Sequence, residues 1–243
     1  MSTRASVTAA RSEAPVNQSV ERAARMLGLF SVDEPELTLS ELTSRMGMTK
    51  ATAHRYATAL REAGLLRAHN GQYSLGPRVV ELAAAALAGM GVIRVAEPYL
   101  LRLVGETGQT SVLSVWDGEA PVVVRVAENH ERLVRIVVAA GSRLPRDSAQ
   151  GKVFRAFLGE DGDPDLEAVR RDGVAANAVV VEGVTAVAAP VFQGEEIVAT
   201  LAVVGASAAI DATEGSELTA ALRDVAMGLS TELGFVQSRE EAP

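Results

Sequence analysis

Lys50, Thr52, His54 and Arg55 fall within six residues of one another in the stretch TKATAHRYATALREAG. At helical spacing they lie opposite an apolar stripe of Ala53, Tyr56 or Ala57, and Leu60, so two cations, a hydroxyl and an imidazole project from one side. An arginine there presents paired donors that match guanine O6 and N7, a lysine neutralises a phosphate, and the helix N-terminus adds partial positive charge. Thr49, the residue placed to cap that helix, belongs to the same group. This is the chemistry of a surface that meets a nucleic-acid groove. Downstream, Arg67, His69 and Asn70 flank a second set of positions that could follow a phosphate backbone or minor groove.

The elements needed to hold these side chains are spelled out by their punctuation. Thr38 followed by Glu41 forms a capping box, Leu39, Leu42 and Met46 recur behind it at helical spacing, and Gly47 provides a left-handed stop. Thr49 can cap a second helix, which Gly64 ends. Leu65–His69 and Gln72–Leu75 then flank Asn70-Gly71, the strongest short signal for a type I′ hairpin. An earlier helix capped by Ser19, with Val20, Ala23, Ala24, Leu27 and Phe30 on one face and an end near Ser31, supplies the third side. Asp33–Glu36 reads as the loop before the capping box. Helix, turn, helix and hairpin in this order predict a winged helix-turn-helix. A small structural module with merely solvated charges would not need every cap at this spacing.

The chain has 243 residues, enough for two domains, and a formal net charge of −8. Taken alone that sum argues against a nucleic-acid partner, but it conceals an asymmetry. Residues 1–78 hold ten Lys and Arg against seven Asp and Glu, net +3, leaving 13 against 24, net −11, for residues 79–243. The basic part is the part with the paired helices. There is no Cys, which excludes disulfides, thiolate metal sites and a cysteine nucleophile and points to a reducing cytoplasm. No apolar run approaches the ~20 residues that span a membrane, so no membrane partner is expected.

Beyond the wing, Gly76-Pro77 opens a helix that is apolar nearly all round, including Val79, Val80, Leu82, Ala83–Ala86 and Leu87. Such a helix between two domains is expected to pack against a copy of itself. A further helix should run from about Val92 to Glu106, kinked or restarted near Ala96 by Pro98. From Thr110 the period changes to that of strands. Thr110–Val115, Pro121–Ala127 and Leu133–Val138 read as an antiparallel meander, and Val184–Phe192 and Glu196–Val204 as two more strands. Helices are expected at Asp147–Leu158, capped by Asp147 or Ser148, at about Asp165–Arg171, and at Thr213–Phe235. The fold class is α+β, with a five- or six-stranded, mostly antiparallel sheet.

The chain resembles the IclR family of bacterial transcription regulators over roughly 17–236. The residues carrying the resemblance are Ser19–Ala23, Thr38–Leu42, Lys50–Arg55, Tyr73–Gly76, Arg143–Pro145, Gly151-Lys152 and Ala188–Phe192. It implies a winged helix-turn-helix at 18–76, a dimerising linker at 77–90 and a GAF-like effector domain at 91–236; residues 1–17, small and polar without periodicity, are expected to be disordered, and 237–243 to be a frayed acidic and polar tail. It further implies a homodimer or homotetramer, a palindromic double-stranded operator and a small organic effector, with no cofactor. By position, Ser114, Trp116, Arg125, Leu144, Ser148, Ala186, Ala202 and Val204 are candidates for contacts with that effector.

The chain departs from the family in several places. Ala51 replaces a usual Ser, Ala186 stands where Cys is frequent with no acidic residue shortly before it, and Leu201-Ala202-Val203-Val204-Gly205 replaces Leu-Ser-Val-Ser-Gly. The expectation is therefore a repressor that senses a partly apolar or aromatic acid, its ring against Trp116 and its carboxylate near Arg125 or the start of the Asp147 helix. One alternative is a regulator whose C-terminal domain only oligomerises. An enzyme is disfavoured: His54, His69 and His130 stand in different elements and cannot share a metal, Ser111, Ser114 and Ser148 lack a nearby histidine other than His130, and Gly151 is in no nucleophile elbow.

Overall fold

The computed structural model describes residues 17–130, 136–177 and 181–236, and the chain divides into two compact units, Met1–Leu82 and Ala83–Pro243. The expectations for residues 1–16, for 133–135 and for the tail at 237–243 lie outside the described residues.

In the first unit, α1 (Gln18–Leu27) begins one residue before Ser19, because the Asn17 side chain caps it by accepting from Ser19 N at 3.0 Å. It ends at Gly28, short of Ser31. β1 (Glu36–Thr38) leads into α2 (Leu39–Met46), whose capping box is formed as expected: Thr38 Oγ1 accepts from Glu41 N at 3.3 Å and the Glu41 carboxylate accepts from Thr38 N at 2.7 Å. Gly47 at φ 61° stops α2, and Thr49 caps α3 (Lys50–Glu62). β2 (Leu66–His69) and β3 (Gln72–Leu75) meet at Asn70 and Gly71, with φ of 50° and 81°, the paired positive angles a type I′ turn requires. β1, read as loop from the sequence, pairs with β3 to make a sheet of order β1-β3-β2. Met26, Leu37, Leu42, Met46, Ala53, Ala57, Leu60 and Leu66 form the core beneath.

α4 (Pro77–Gly89) has no buried residue, and Val80 and Leu82 are 70% and 54% exposed.

In the second unit, α5 (Gly91–Val95) and α6 (Glu97–Thr107) are separate helices, broken at Ala96 because Pro98 occupies the first turn of the second. β4 (Thr110–Trp116), β5 (Pro121–Ala127), β6 (Ala175–Asn177), β7 (Val184–Gln193) and β8 (Glu196–Ala206) build one sheet of order β5-β4-β8-β7-β6, with every pair antiparallel. The first two strands of the expected meander, β4 and β5, pair antiparallel. β4 pairs with β8 on its other edge, and the described remainder of the third expected strand, residues 136–138, is irregular. α7 (Ala149–Phe157), α8 (Pro164–Asp172) and α9 (Glu217–Glu232) follow the expected order, although α9 starts after the Ser216 cap rather than at Thr213. One face of the sheet, through Leu113, Val115, Val187, Val191, Leu201 and Val203, packs on α6 and α9. The other, through Val112, Ala188, Ala202 and Val204, packs under α7 and α8.

The wing closes where its two ends cross. Gly76 N donates to Leu65 O at 2.8 Å, and a Cβ on Gly76 would lie 2.1 Å from the Gly64 carbonyl oxygen. Backbone cannot yield there as a flexible side chain could, so Gly76→Ala should destabilise the first unit by about 1–3 kcal/mol. Differential scanning calorimetry showing an unchanged melting transition would contradict this geometry.

Candidate functional site

α3 turns its buried stripe of Ala53, Ala57 and Leu60 to the core, which leaves Lys50, His54 and Arg55 exposed on its outer side. None of the three is in an ion pair among the described residues. Thr49 Oγ1 accepts from Thr52 N at 3.3 Å and lies 2.9 Å from Thr52 Oγ1, so both hydroxyls are gathered at the helix start. In the free protein they act first as a cap. On the wing, Arg67 Nε donates to Ser74 Oγ at 2.8 Å, which ties the guanidinium along the strand while leaving the residue exposed. Asn70 stands at the exposed tip. The seven residues picked from the sequence thus fall on one helix start and one hairpin of the same unit.

In the second unit the register sorts the candidates. Three rungs cross the α7 side of the sheet: Thr110–Val204–Ala186, Val112–Ala202–Ala188 and Ser114–Thr200–Pro190. Residues directly opposite in antiparallel strands point the same way, so Ser114, Ala186, Ala202 and Val204 share this face. Trp116 continues the line, its ring centroid 5.3 Å from that of Phe154 on α7. Leu144 packs against the same cluster. Ser148, 4% exposed, caps α7 by accepting from Gly151 N at 3.1 Å.

Arg125 does not join them. A bulge at Leu113/Ser114 pairs it with Leu113, whose side chain belongs to the α6 and α9 face, and Arg125 is exposed with its guanidinium donating to Val124 O at 3.1 Å. The sequence pattern missed Thr200, which read as part of an apolar run. It is fully buried opposite Ser114, and both hydroxyl oxygens lack a hydrogen-bond partner among the described residues.

The segment leading to α7 is clamped at its start. Burial pushes the Asp117 carboxyl up, but the Arg143 guanidinium and the Ala120 and Glu119 amides outweigh it and hold the group below its ordinary value. Arg143 bonds Asp117 at 2.8 Å and Glu119 at 2.6 Å, and Arg146 lies over the Trp116 ring at 5.6 Å while bonding Glu160 at 2.9 Å. Gly151 has no room for a Cβ, which would lie 2.2 Å from Arg146 O, so the segment sits hard against the first turn of α7.

A cationic helix start beside a type I′ wing, joined in sequence to a separate α+β unit, defines a winged helix-turn-helix DNA-binding protein with a second domain. The chain belongs to the IclR family of bacterial transcriptional regulators: residues 19–69 match the IclR helix-turn-helix domain, and residues 84–163 and 162–231 match the IclR C-terminal domain. It is a DNA-binding transcription regulator, and the families it matches are regulators rather than enzymes. It is 29% identical over 254 residues to the HTH-type transcriptional regulator XynR of Escherichia coli (strain K12), covering 91% of this chain and 99% of that one. The crystal structure of an IclR transcriptional regulator from Alicyclobacillus acidocaldarius is similar, with TM-score 0.71, 26% identity and coverage of 89% and 99%. An IclR homolog from Microbacterium hydrocarbonoxydans, complexed with 4-hydroxybenzoate, shares the fold at TM-score 0.70 and 24% identity, covering 89% of this chain and 99% of that one. No helix among the described residues is long and apolar enough to cross a membrane.

Proposed function

We propose that this regulator is a repressor that binds a palindromic operator as a homodimer or a dimer of dimers and is released or retained by a partly apolar or aromatic acid. The observation that carries the reading is the convergence of Ser114, Trp116, Leu144, Ser148, Ala186, Ala202 and Val204 on the α7 side of one sheet. Its floor of alanine and valine offers a small, highly charged oxoacid no compensation for lost water, whereas an apolar ring gains by burial there. The carboxylate is assigned to Arg146 and the start of α7 rather than to Arg125, which faces the other way. The 4-hydroxybenzoate held by the fold neighbour supports the idea that this scaffold admits an aromatic acid. Repression needs only occupancy of the operator, which the exposed cations of α3 and the wing favour.

Operator binding is assigned to Thr49, Lys50, Thr52, His54, Arg55, Arg67 and Asn70. Arg55→Ala should weaken operator binding by about 1–3 kcal/mol and relax preference at one base pair, as loss of a bidentate guanine contact does. Lys50→Ala should weaken all sequences alike and flatten the salt dependence. Titrations against the operator and a scrambled duplex distinguish the two, and unchanged affinity in both variants would take α3 out of the interface.

The unburied α4 supports dimerisation through its own apolar surface. Leu87 packs partly against the core of the second unit, so the outward residues Val80 and Leu82 are the informative ones. Leu82→Glu should split the dimer with little change in melting temperature and lower operator affinity more than a single contact does, since two half-sites about 34 Å apart are read together. An intact dimer in sedimentation would move the contact elsewhere.

Thermal shift of the full chain tests the effector class. A ligand that binds only the folded state stabilises by RT ln(1 + [L]/Kd), about 2.7 kcal/mol at a hundredfold excess over Kd. Hydroxylated and unsubstituted benzoates and phenylacetates should raise the transition, and glyoxylate and pyruvate should not. The reverse order would reject the aromatic reading, and silence from all of them would leave the second domain as an oligomerisation scaffold.

A further inference from the structure

Among the described residues the buried hydroxyls are partnered with two exceptions. Thr110 donates to Ile136 O at 2.9 Å, Ser111 to Leu100 O at 2.8 Å, Thr185 to Ser207 Oγ at 2.8 Å and Ser230 to Ala226 O at 2.8 Å. Ser114 Oγ and Thr200 Oγ1, both on residues 0% exposed, have no partner among the described residues. They are cross-strand neighbours on one rung of the sheet, and that rung faces α7. Cβ atoms of such a pair stand about 4.5–5.5 Å apart, so one ligand oxygen could be reached by both. A native fold rarely leaves a buried hydroxyl unpaired, and two side by side in the face already assigned to an effector call for a common cause.

The other side chains of that face set the chemistry. Ala186, Ala202 and Val204 are apolar, and Trp116 and Phe154 form an aromatic wall beside Ser114. Neither hydroxyl has a cation next to it in the rung, where its neighbours are Val123 and Pro190. Two neutral donors among apolar groups suit a neutral oxygen rather than a carboxylate, which would lose its water without a compensating charge.

We propose that the Ser114–Thr200 rung is the specificity-determining end of the effector site and holds the ring hydroxyl of an aromatic acid whose carboxylate stays at Arg146 and the start of α7. This rests on the aromatic-acid reading above. Because both oxygens are shielded in the present packing, the ring enters by displacing α7 side chains from the sheet, which couples occupancy to the position of that helix.

The test uses the full chain, with 4-hydroxybenzoate and 4-hydroxyphenylacetate set against benzoate and phenylacetate in isothermal titration calorimetry. The wild type should bind each hydroxylated acid about tenfold more tightly than its unsubstituted counterpart. Ser114→Ala and Thr200→Val should each erase that preference while leaving the melting temperature of the free protein unchanged or raised, since neither removes a bond made in the free fold. A merely structural hydroxyl gives the opposite pattern, with a melting temperature several degrees lower and the preference intact, and either result overturns the proposal. Wild-type binding of both classes without preference overturns it while sparing the aromatic-acid reading. Binding of none of the four sinks both.

Discussion

The second unit depends on the placement of β8 at the middle of the sheet, paired over Thr200–Val204 with β4 on one edge and along its length with β7 on the other. From Ala199 to Val204 every residue of β8 is buried, so the strand has no solvent face to tolerate a slip. Moving it by one residue would exchange Leu201 and Val203 for Ala202 and Val204 and place large side chains where α7 needs small ones. The α6 and α9 face is further locked by polar ties: Tyr99 OH donates to Glu232 at 2.7 Å and lies 3.2 Å from Gly228 O, and Phe192 N donates to Ser230 Oγ at 3.0 Å.

Arginine is used in two ways. In the second unit several guanidinium groups are paired with carboxylates: Arg155 bonds Glu160 at 2.7 Å and Asp163 at 3.2 Å, Arg143 bonds Asp117 and Glu119, and Arg170 lies 3.5 Å from Asp161 while also donating to the backbone carbonyls of Ala156 and Glu160. These pairs are mostly exposed and add little to stability individually, but they staple α7, α8 and the segment before α7 into one body. On α3, Lys50 and Arg55 have no acidic partner among the described residues, as a surface that meets phosphate requires. The net charges of the two parts of the chain, +3 for residues 1–78 and −11 for 79–243, favour contact of a polyanion with the basic end.

The first unit was readable because each boundary in it is a local event. Thr38, Glu41, Gly47, Thr49, Asn70 and Gly71 act within three or four residues of themselves, and the structure has each in the expected role. Two helix caps, Asn17 for Ser19 and Ser216 for Thr213, were local misses, and the larger ones were non-local. β1 and β6 are three-residue strands that exist only because β3 and β7 lie beside them. Hydrophobic alternation marked β4, β5 and β8 as strands but carries no information on which is neighbour to which. Arg125 was assigned to the wrong face because a bulge is invisible in a period-two pattern. The last helix, expected from Thr213, instead starts after the Ser216 cap, while Thr213 bonds Asp211 in the turn before it. Thr200 was passed over because a β-branched residue in an apolar run looks like its isostere valine until its oxygen is found without a partner.

The alanine floor beneath α7 also has an evolutionary reading. Ala186, Ala188 and Ala202 lie side by side in the sheet and meet Ala149 and Ala156 from above, so methyl groups line much of the contact. Every alanine codon is one nucleotide from codons for serine, threonine and valine, and each exchange adds only one or two heavy atoms. A lineage can therefore write a hydroxyl or a methyl into this face a single base at a time, changing its polarity while leaving the strand order untouched.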